Sequence, residues 1–327
     1  LLSQQVSRFS ITETCIDIRN DRHDVRNVVV DFVLDRLLGS TFSADELSYL
    51  VTQDGDRHAE EAFWNQFADA DTFGSLIQPD PPLTVRLAKH LATLDDGGDL
   101  LRADALDWAQ RVITQATYLT GGFAVVVANP PYMGSKQMNA LLSQFMKDEY
   151  PTGKSDLMTA FMVRAQALSA PRGVWAMINL PSWMSLKSFE DLRRELLRDQ
   201  RIVSMVHLGR GVFGSDFGTV AFVVDNARPG RARGVYRRLF EQHVDVRSVA
   251  VIEALFRDST YNRYEVSQVD FAAIPGSPIV YWLSERMRAV FTAGKRLGAV
   301  ADIKHGLSTG KNEAVVRLWW ETSANRF

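Results

Sequence analysis

Cysteine is nearly missing from this chain of 327 residues: Cys15 stands alone. A single thiol excludes an intrachain disulfide and any multi-cysteine metal site. No apolar run is long enough to span a bilayer, and no secretory leader is present, so a cytoplasmic setting is expected. The six histidines (His23, His58, His90, His207, His243, His305) never pair at metal-ligand spacing, and no metal site is expected. A basic surplus is lacking as well. With 37 Lys and Arg against 39 Asp and Glu, the formal charge is −2. Proteins that grip a polyanion normally carry an excess of positive charge. Any affinity for nucleic acid therefore has to come from a local patch or from other parts of a longer protein. Internal repeats and low-complexity tracts are absent too. At 46% apolar and 23% charged residues, the composition is that of an ordinary globular protein, long enough for one large domain or two smaller ones.

What is present is concentrated in Phe123-Ala-Val-Val-Val-Ala-Asn129-Pro130-Pro131-Tyr132. The valine-rich run reads as a buried strand that stops at a double proline, which cannot continue a hydrogen-bonded ladder. The residue before a proline is pushed toward extended geometry, so Asn129 projects from the strand's carboxyl end. That end is where open α/β sheets bind ligands. The Asn129 amide oxygen and the Pro130 carbonyl are acceptors for the two N–H donors of an exocyclic amine. The Tyr132 ring suits the face of a flat heterocycle. Two acceptors on its hydrogens favour a pyramidal amino nitrogen, on which positive charge develops as a methyl group arrives. Fixed dipoles opposite that charge are preorganised stabilisation. The sulfonium methyl donor carries its own reactivity, which leaves the protein to position and desolvate. A strand ending in an ordinary Asn-Pro-Pro turn is the plainer alternative.

These residues resemble the catalytic motif of S-adenosylmethionine-dependent amino methyltransferases. The longer run Val127-Ala-Asn-Pro-Pro-Tyr-Met-Gly134 is similar to the adenine-specific DNA methyltransferases of BREX phage-defence systems, the PglX type. So are Lys154-Ser-Asp-Leu157, Ser182-Trp-Met184, Val206-His-Leu-Gly209, Ile274-Pro-Gly-Ser-Pro278 and Gly306-Leu-Ser-Thr-Gly310. The similarity runs from about Ala70 to Leu318. It implies an α/β, Rossmann-like methyltransferase core with an appended C-terminal segment leading into a target-recognition domain. The implied substrate is a flipped-out adenine in double-stranded DNA, with S-adenosylmethionine as cofactor and other subunits of a phage-defence complex as further partners. Within the motif, Asn129, Pro130, Pro131 and Tyr132 are the catalytic candidates. By the same resemblance, Asp104 matches a carboxylate that accepts from the cofactor's adenine, and the helix bearing Asp156 and Phe161 flanks the cofactor. Phe213 would stack on the base face that Tyr132 leaves open, with Phe217 in reserve. A plain core role for Phe161, and a helix N-cap for Asp104, are the competing readings.

One departure stands out. The family's Asp-Pro-x-x-Gly-x-Gly type cofactor turn has no counterpart before Asn129, where Gly97-Gly98 reads as a turn between a helix and a strand. The expectation is an internal or truncated portion, divided into a helical lead-in (1–68), a core lacking the glycine loop (69–240), and a connector with the start of target recognition (241–327).

The coarse element reading is as follows. Apolar residues at helical spacing (Val28, Val29, Phe32, Val33, Leu37) predict a helix over 24–38 closed by Gly39. Ser43 with Glu46 resembles a capping box. Further helices are expected at 60–67, 83–94, 106–119, 154–168, 188–199 and 279–291. Strands are expected at 99–106 (ending near Asp104), 123–128, 173–180, 202–208 and 219–224, with an irregular stretch over 251–271. Lys136 lies in a polar loop over the pocket mouth. Arg228, Arg231, Arg233, Arg237 and Arg238 form the densest basic cluster; Arg231 and Arg233, with Lys136, are candidates for DNA backbone phosphates, and a solvated loop is the alternative. Two rival functions share the motif: methylation of a protein glutamine amide, which presents the same two donors, and a non-catalytic scaffold in a phage-defence assembly.

Overall fold

The computed structural model describes residues 30–31, 39, 41–212, 217–230, 232–241, 246–295 and 297–302. The elements run β1 (Val30–Asp31), α1 (Ala44–Leu50), α2 (Arg57–Asn65), α3 (Ala70–Phe73), α4 (Pro81–Leu91), α5 (Leu100–Leu119) and β2 (Phe123–Ala128). Then come α6 (Ala140–Glu149), α7 (Leu157–Leu168), β3 (Ser169–Asn179), α8 (Glu190–Asp199), β4 (Arg201–Gly209), β5 (Thr219–Asp225) and β6 (Arg233–Arg238). The series closes with α9 (Val249–Arg257), β7 (Arg263–Ser267), α10 (Val269–Ala272) and α11 (Glu285–Ala293).

The strands make a mixed sheet in the order β1-β2-β3-β5-β4-β6-β7. Strands β1, β2, β3, β4 and β6 run parallel, while β5 inserts antiparallel between β3 and β4. Parallel neighbours need a crossover, and α6 with α7 supply it between β2 and β3. The result is the expected Rossmann-like α/β core.

One face of the sheet is fully packed. Val126, Trp175, Met177, Met205, Phe222 and Val224 are buried there with Met158, Phe161 and Met162 of α7. A second core lies among helices: Leu50, Trp64, Phe67, Leu87, Val112 and Ile113 bring α1, α2, α4 and α5 together. Arg164, buried on α7, donates to the carbonyls of Ser75 (2.7 Å) and Leu119 (2.6 Å), tying segments that belong to the two cores. Among the described residues, those up to Trp282 form one compact unit, and those from Leu283, with α11, form another.

Local signals account for most helix starts. The Ser43 side chain accepts from the Glu46 N–H while Glu46 takes the Ser43 N–H, the reciprocal pair that the spacing predicts. Asp80 caps α4, whose first residue is Pro81. No helix among the described residues is long and apolar enough to cross a membrane.

Four expectations need correction. Val30 and Asp31 pair with Val126 and Val127 as a parallel strand, not a helix; the rest of 24–38 lies outside the described residues. The segment from Asp99 is helix, not strand: the Asp99 carboxylate accepts from Leu101 and Arg102, and Ala105, Ala109, Val112, Ile113, Ala116 and Leu119 bury one face. Leu100 and Leu101 look like strand residues but are 77% and 78% exposed. Gly97-Gly98 accordingly joins two helices. The stretch 251–271 is regular, holding most of α9 and all of β7, and Val266 and Phe271 enter the main core. Helix α11 begins only at Glu285, capped by Ser284, because Ile279 and Tyr281 are buried in the core before it starts.

His207 on β4 is largely enclosed, edge-on to Phe240. Burial, and then the nearby Arg238, lower its pKa from 6.5 to about 4. The unfolded chain therefore takes up a proton that the folded one refuses. Stability is full above pH ~6.5 and is lost as pH falls toward about 4, by up to roughly 3 kcal/mol. His207→Phe should flatten that part of the pH–stability curve in chemical denaturation; an unchanged slope would refute it.

Candidate active site

Strand β2 delivers Asn129 to the carboxyl edge of the sheet. Ala128 pairs with Met177 on β3, so the Asn-Pro-Pro turn leaves beside Ile178 and Asn179. Asn129 is exposed and Pro130 is buried, so the turn is anchored on one side and open on the other. Tyr132 is half-buried against the main core. Its hydroxyl lies 2.9 Å from the Ile178 carbonyl and 3.3 Å from Asn129 Oδ1. A phenol has one proton to give. The shorter contact takes it, and the Asn129 amide oxygen stays available to another donor. Burial raises the Tyr132 pKa, keeping the ring neutral.

Beside Asn129 the second sheet face is open. Side chains alternate along a strand, and while Val126 is buried, Val125 and Val127 remain 41% and 44% exposed. The expectation of a buried strand thus holds for one face only. Val127, Ala176, Ile178, Val206, Ala221 and Val223, with Asn129 at its rim, line an apolar groove of about 480 Å³.

After the turn the chain is fixed to α7. The Asp156 carboxylate accepts from the Met133 N–H (3.2 Å) and from the Met158 N–H (3.1 Å), the second as helix cap. Burial raises its pKa, against which the N–H groups of Met158, Met133 and Leu157 act. Lys136 follows, exposed in a 3-10 turn over Ser135–Gln137.

The remaining candidates scatter. Phe161 is a core residue at 5% exposure. Asp104 sits on the exposed side of α5, neither at a strand end nor at the cap, a place Asp99 takes. Phe213 and Arg231 lie outside the described residues. Phe217, 64% exposed in the connection between β4 and β5, is an unburied aromatic in that loop.

Of the basic cluster, Arg233, Arg237 and Arg238 do not gather beside Asn129. Arg233 opens β6, which runs parallel to β2, so it lies at the amino edge, opposite the Asn129 end. Arg237 is buried and donates to the carbonyls of Leu255, Phe256 and Asp258 at the end of α9. Arg238 lies over the rings of Phe240 and Trp282. Clustering in sequence concealed this, because neighbours on a strand point to opposite faces.

Asn179 went unnoticed in the sequence. It is wholly buried at the carboxyl end of β3, one strand from Asn129, and neither amide atom has a hydrogen-bond partner among the described residues. A polar residue closing the apolar run Val174–Ile178 was the available signal.

Residues 58–213 match the Eco57I restriction-modification methylase family. The chain is similar along its whole length to the adenine-specific methyltransferase BrxX of Escherichia coli O9:H4 (strain HS), at 33% identity, and spans 26% of that protein. Over 62% of its length it is 35% identical to the adenine-specific methyltransferase PglX of Lacticaseibacillus casei (strain Zhang), of which it spans 17%. Among solved structures, the ATP-dependent Type ISP restriction-modification enzyme LlaBIII bound to DNA superposes with a TM-score of 0.40 at 16% identity, over 60% of this chain and 14% of that one. Because this chain aligns along its whole length with one relative, and a methylase family covers the Asn129 turn, it belongs to the family of the BREX-type adenine-specific methyltransferases.

Proposed function

We propose that this chain carries the base-gripping part of a methyltransferase that acts on the amino group of adenine in DNA. The observation that supports it most is the exposed Asn129, whose amide oxygen is left free by a tyrosine hydroxyl bound elsewhere. In this reading Asn129 Oδ1 and the Pro130 carbonyl accept the two amino hydrogens of an adenine swung out of the duplex. The Tyr132 ring covers one face of the base, and an aromatic of the 209–218 connection, Phe213 or Phe217, covers the other. Lys136, four residues beyond Tyr132, is the proposed phosphate contact.

S-adenosylmethionine is the methyl donor this reading requires. Of the candidates for holding it, Asp104 lies on an exposed helix face, one carboxylate oxygen of Asp156 accepts from two backbone amides, and Phe161 is in the core. The part assigned to the Asn129–Tyr132 turn is the handling of the base. Holding both amino hydrogens points the nitrogen lone pair away from the turn, and the acceptor dipoles stabilise the charge that builds there.

The test uses the full-length protein with methyl-labelled S-adenosylmethionine, offered duplex DNA or a release factor. N6-methyladenine in the digested DNA is the expected product. Label in protein glutamine and none in DNA would replace this reading with the protein-methylating one, and label in neither would leave a scaffold.

A further inference from the structure

Three hydrogen bonds join the segment after Tyr132 to the start of α7. Leu157 donates its N–H to the Met133 carbonyl at 2.9 Å, and Ser135 donates to the Ser155 carbonyl at 3.1 Å. These two together make the antiparallel bridge of Gly134 with Asp156. The third comes from a side chain: Asp156 Oδ1 accepts from the Met133 N–H, the amide that directly follows Tyr132. The same oxygen takes the Met158 N–H, so one atom caps the helix and holds the loop. Helix α7 is itself a rigid support, with Leu157, Met158, Thr159, Ala160, Phe161 and Met162 all buried.

We propose that Asp156 is a positioning residue, whose carboxylate straps the Asn-Pro-Pro-Tyr turn to α7 and presets the turn for its base. This rests on the reading of that turn as the base grip. Asn129 and Tyr132 lie just past the last residue of β2; the two backbone bonds hold the Met133 carbonyl and the Ser135 N–H, and the Asp156 carboxylate adds the bond to the amide that adjoins Tyr132. A serine at 156 would keep the helix cap, since short hydroxyls cap well, but would fall short of Met133. An asparagine presents an oxygen where Oδ1 now sits and serves both amides. Cap and strap are thereby separable.

In the full-length protein, Asp156→Ser should keep the melting temperature close to the native value. It should lower kcat on the order of 100-fold, the effect of misplacing a reacting group by about 1 Å. The dissociation constant for S-adenosylmethionine should stay unchanged, and Asp156→Asn should restore most of kcat. Hydrogen exchange at Met133 should speed up in the serine variant and stay slow in the asparagine one. Native kcat and slow exchange in Asp156→Ser would overturn the strap. Weakened S-adenosylmethionine binding with kcat held would make Asp156 a cofactor ligand instead. Should the native protein methylate no DNA, the functional reading fails while the exchange measurement still decides the strap.

Discussion

Asn129→Ala in the full-length protein should lower methyl transfer to DNA by about 10²–10³-fold, the usual cost of removing one preorganised polar contact to a charge that forms only in the transition state. The stability cost should be small. Asn129 is exposed, and its one side-chain contact is the longer of the two made by the Tyr132 hydroxyl. Exposed substitutions of this kind change stability by about 0.5 kcal/mol or less. Asn129→Asp sharpens the result, because a carboxylate still accepts from an amine: it should retain more activity than the alanine variant. Full activity in Asn129→Ala would remove the base-gripping role altogether. A large fall in melting temperature would instead show that the residue serves the fold.

Arg193→Met is expected to have the largest effect on stability. Arg193 is 1% exposed on α8 and reaches three separate backbone carbonyls. Nη1 donates to Trp183 (2.8 Å) and Leu186 (2.7 Å), while Nη2 and Nε both donate to Gly276. It thereby fastens the turns that follow β3 to the Pro275–Pro278 turn. Burial lowers its pKa, with Glu190 acting the other way, yet a guanidinium so placed stays charged. Methionine fills much of the space and satisfies none of the carbonyls. Each buried acceptor left unpaired costs roughly 1–3 kcal/mol, and part of that is recovered by relaxation and water. A loss of about 3–4 kcal/mol in denaturant unfolding is expected. Arg193→Lys should recover little, since an ammonium cannot reproduce the fork. A loss below about 1 kcal/mol would show that the three carbonyls find other donors.

The two residues mark where the sequence could be read directly and where it could not. Asn129 was legible because its chemistry is local: an apolar strand, two prolines and a tyrosine within ten residues constrain the backbone and name the donors and acceptors. The capping box at Ser43 and the strands around Ala176, Met205 and Phe222 were legible for the same reason, as period and spacing carried the signal. Arg193 was not legible. Its partners are seven, ten and 83 residues away, and in sequence it looks like one more charge on an amphipathic helix.

The misreadings have a common physical origin. Asp99–Leu106 has the composition of a short strand, and only the Asp99 cap together with the helical packing partners of Ala105, Ala109 and Val112 makes it helix. Among the arginines from 228 to 238, folding sends Arg233 to the far edge of the sheet and Arg237 into the core.

The sequence by itself determined the place of the Asn-Pro-Pro-Tyr turn at a strand's end, the alternation of strands and helices, and the family, because each rests on residues close together in the chain. The tertiary structure decided which carboxylates and guanidiniums are free to meet a ligand. It also decided which face of the sheet stays open beside Asn129. Those outcomes depend on contacts between residues tens of positions apart, whose pairing no local pattern encodes.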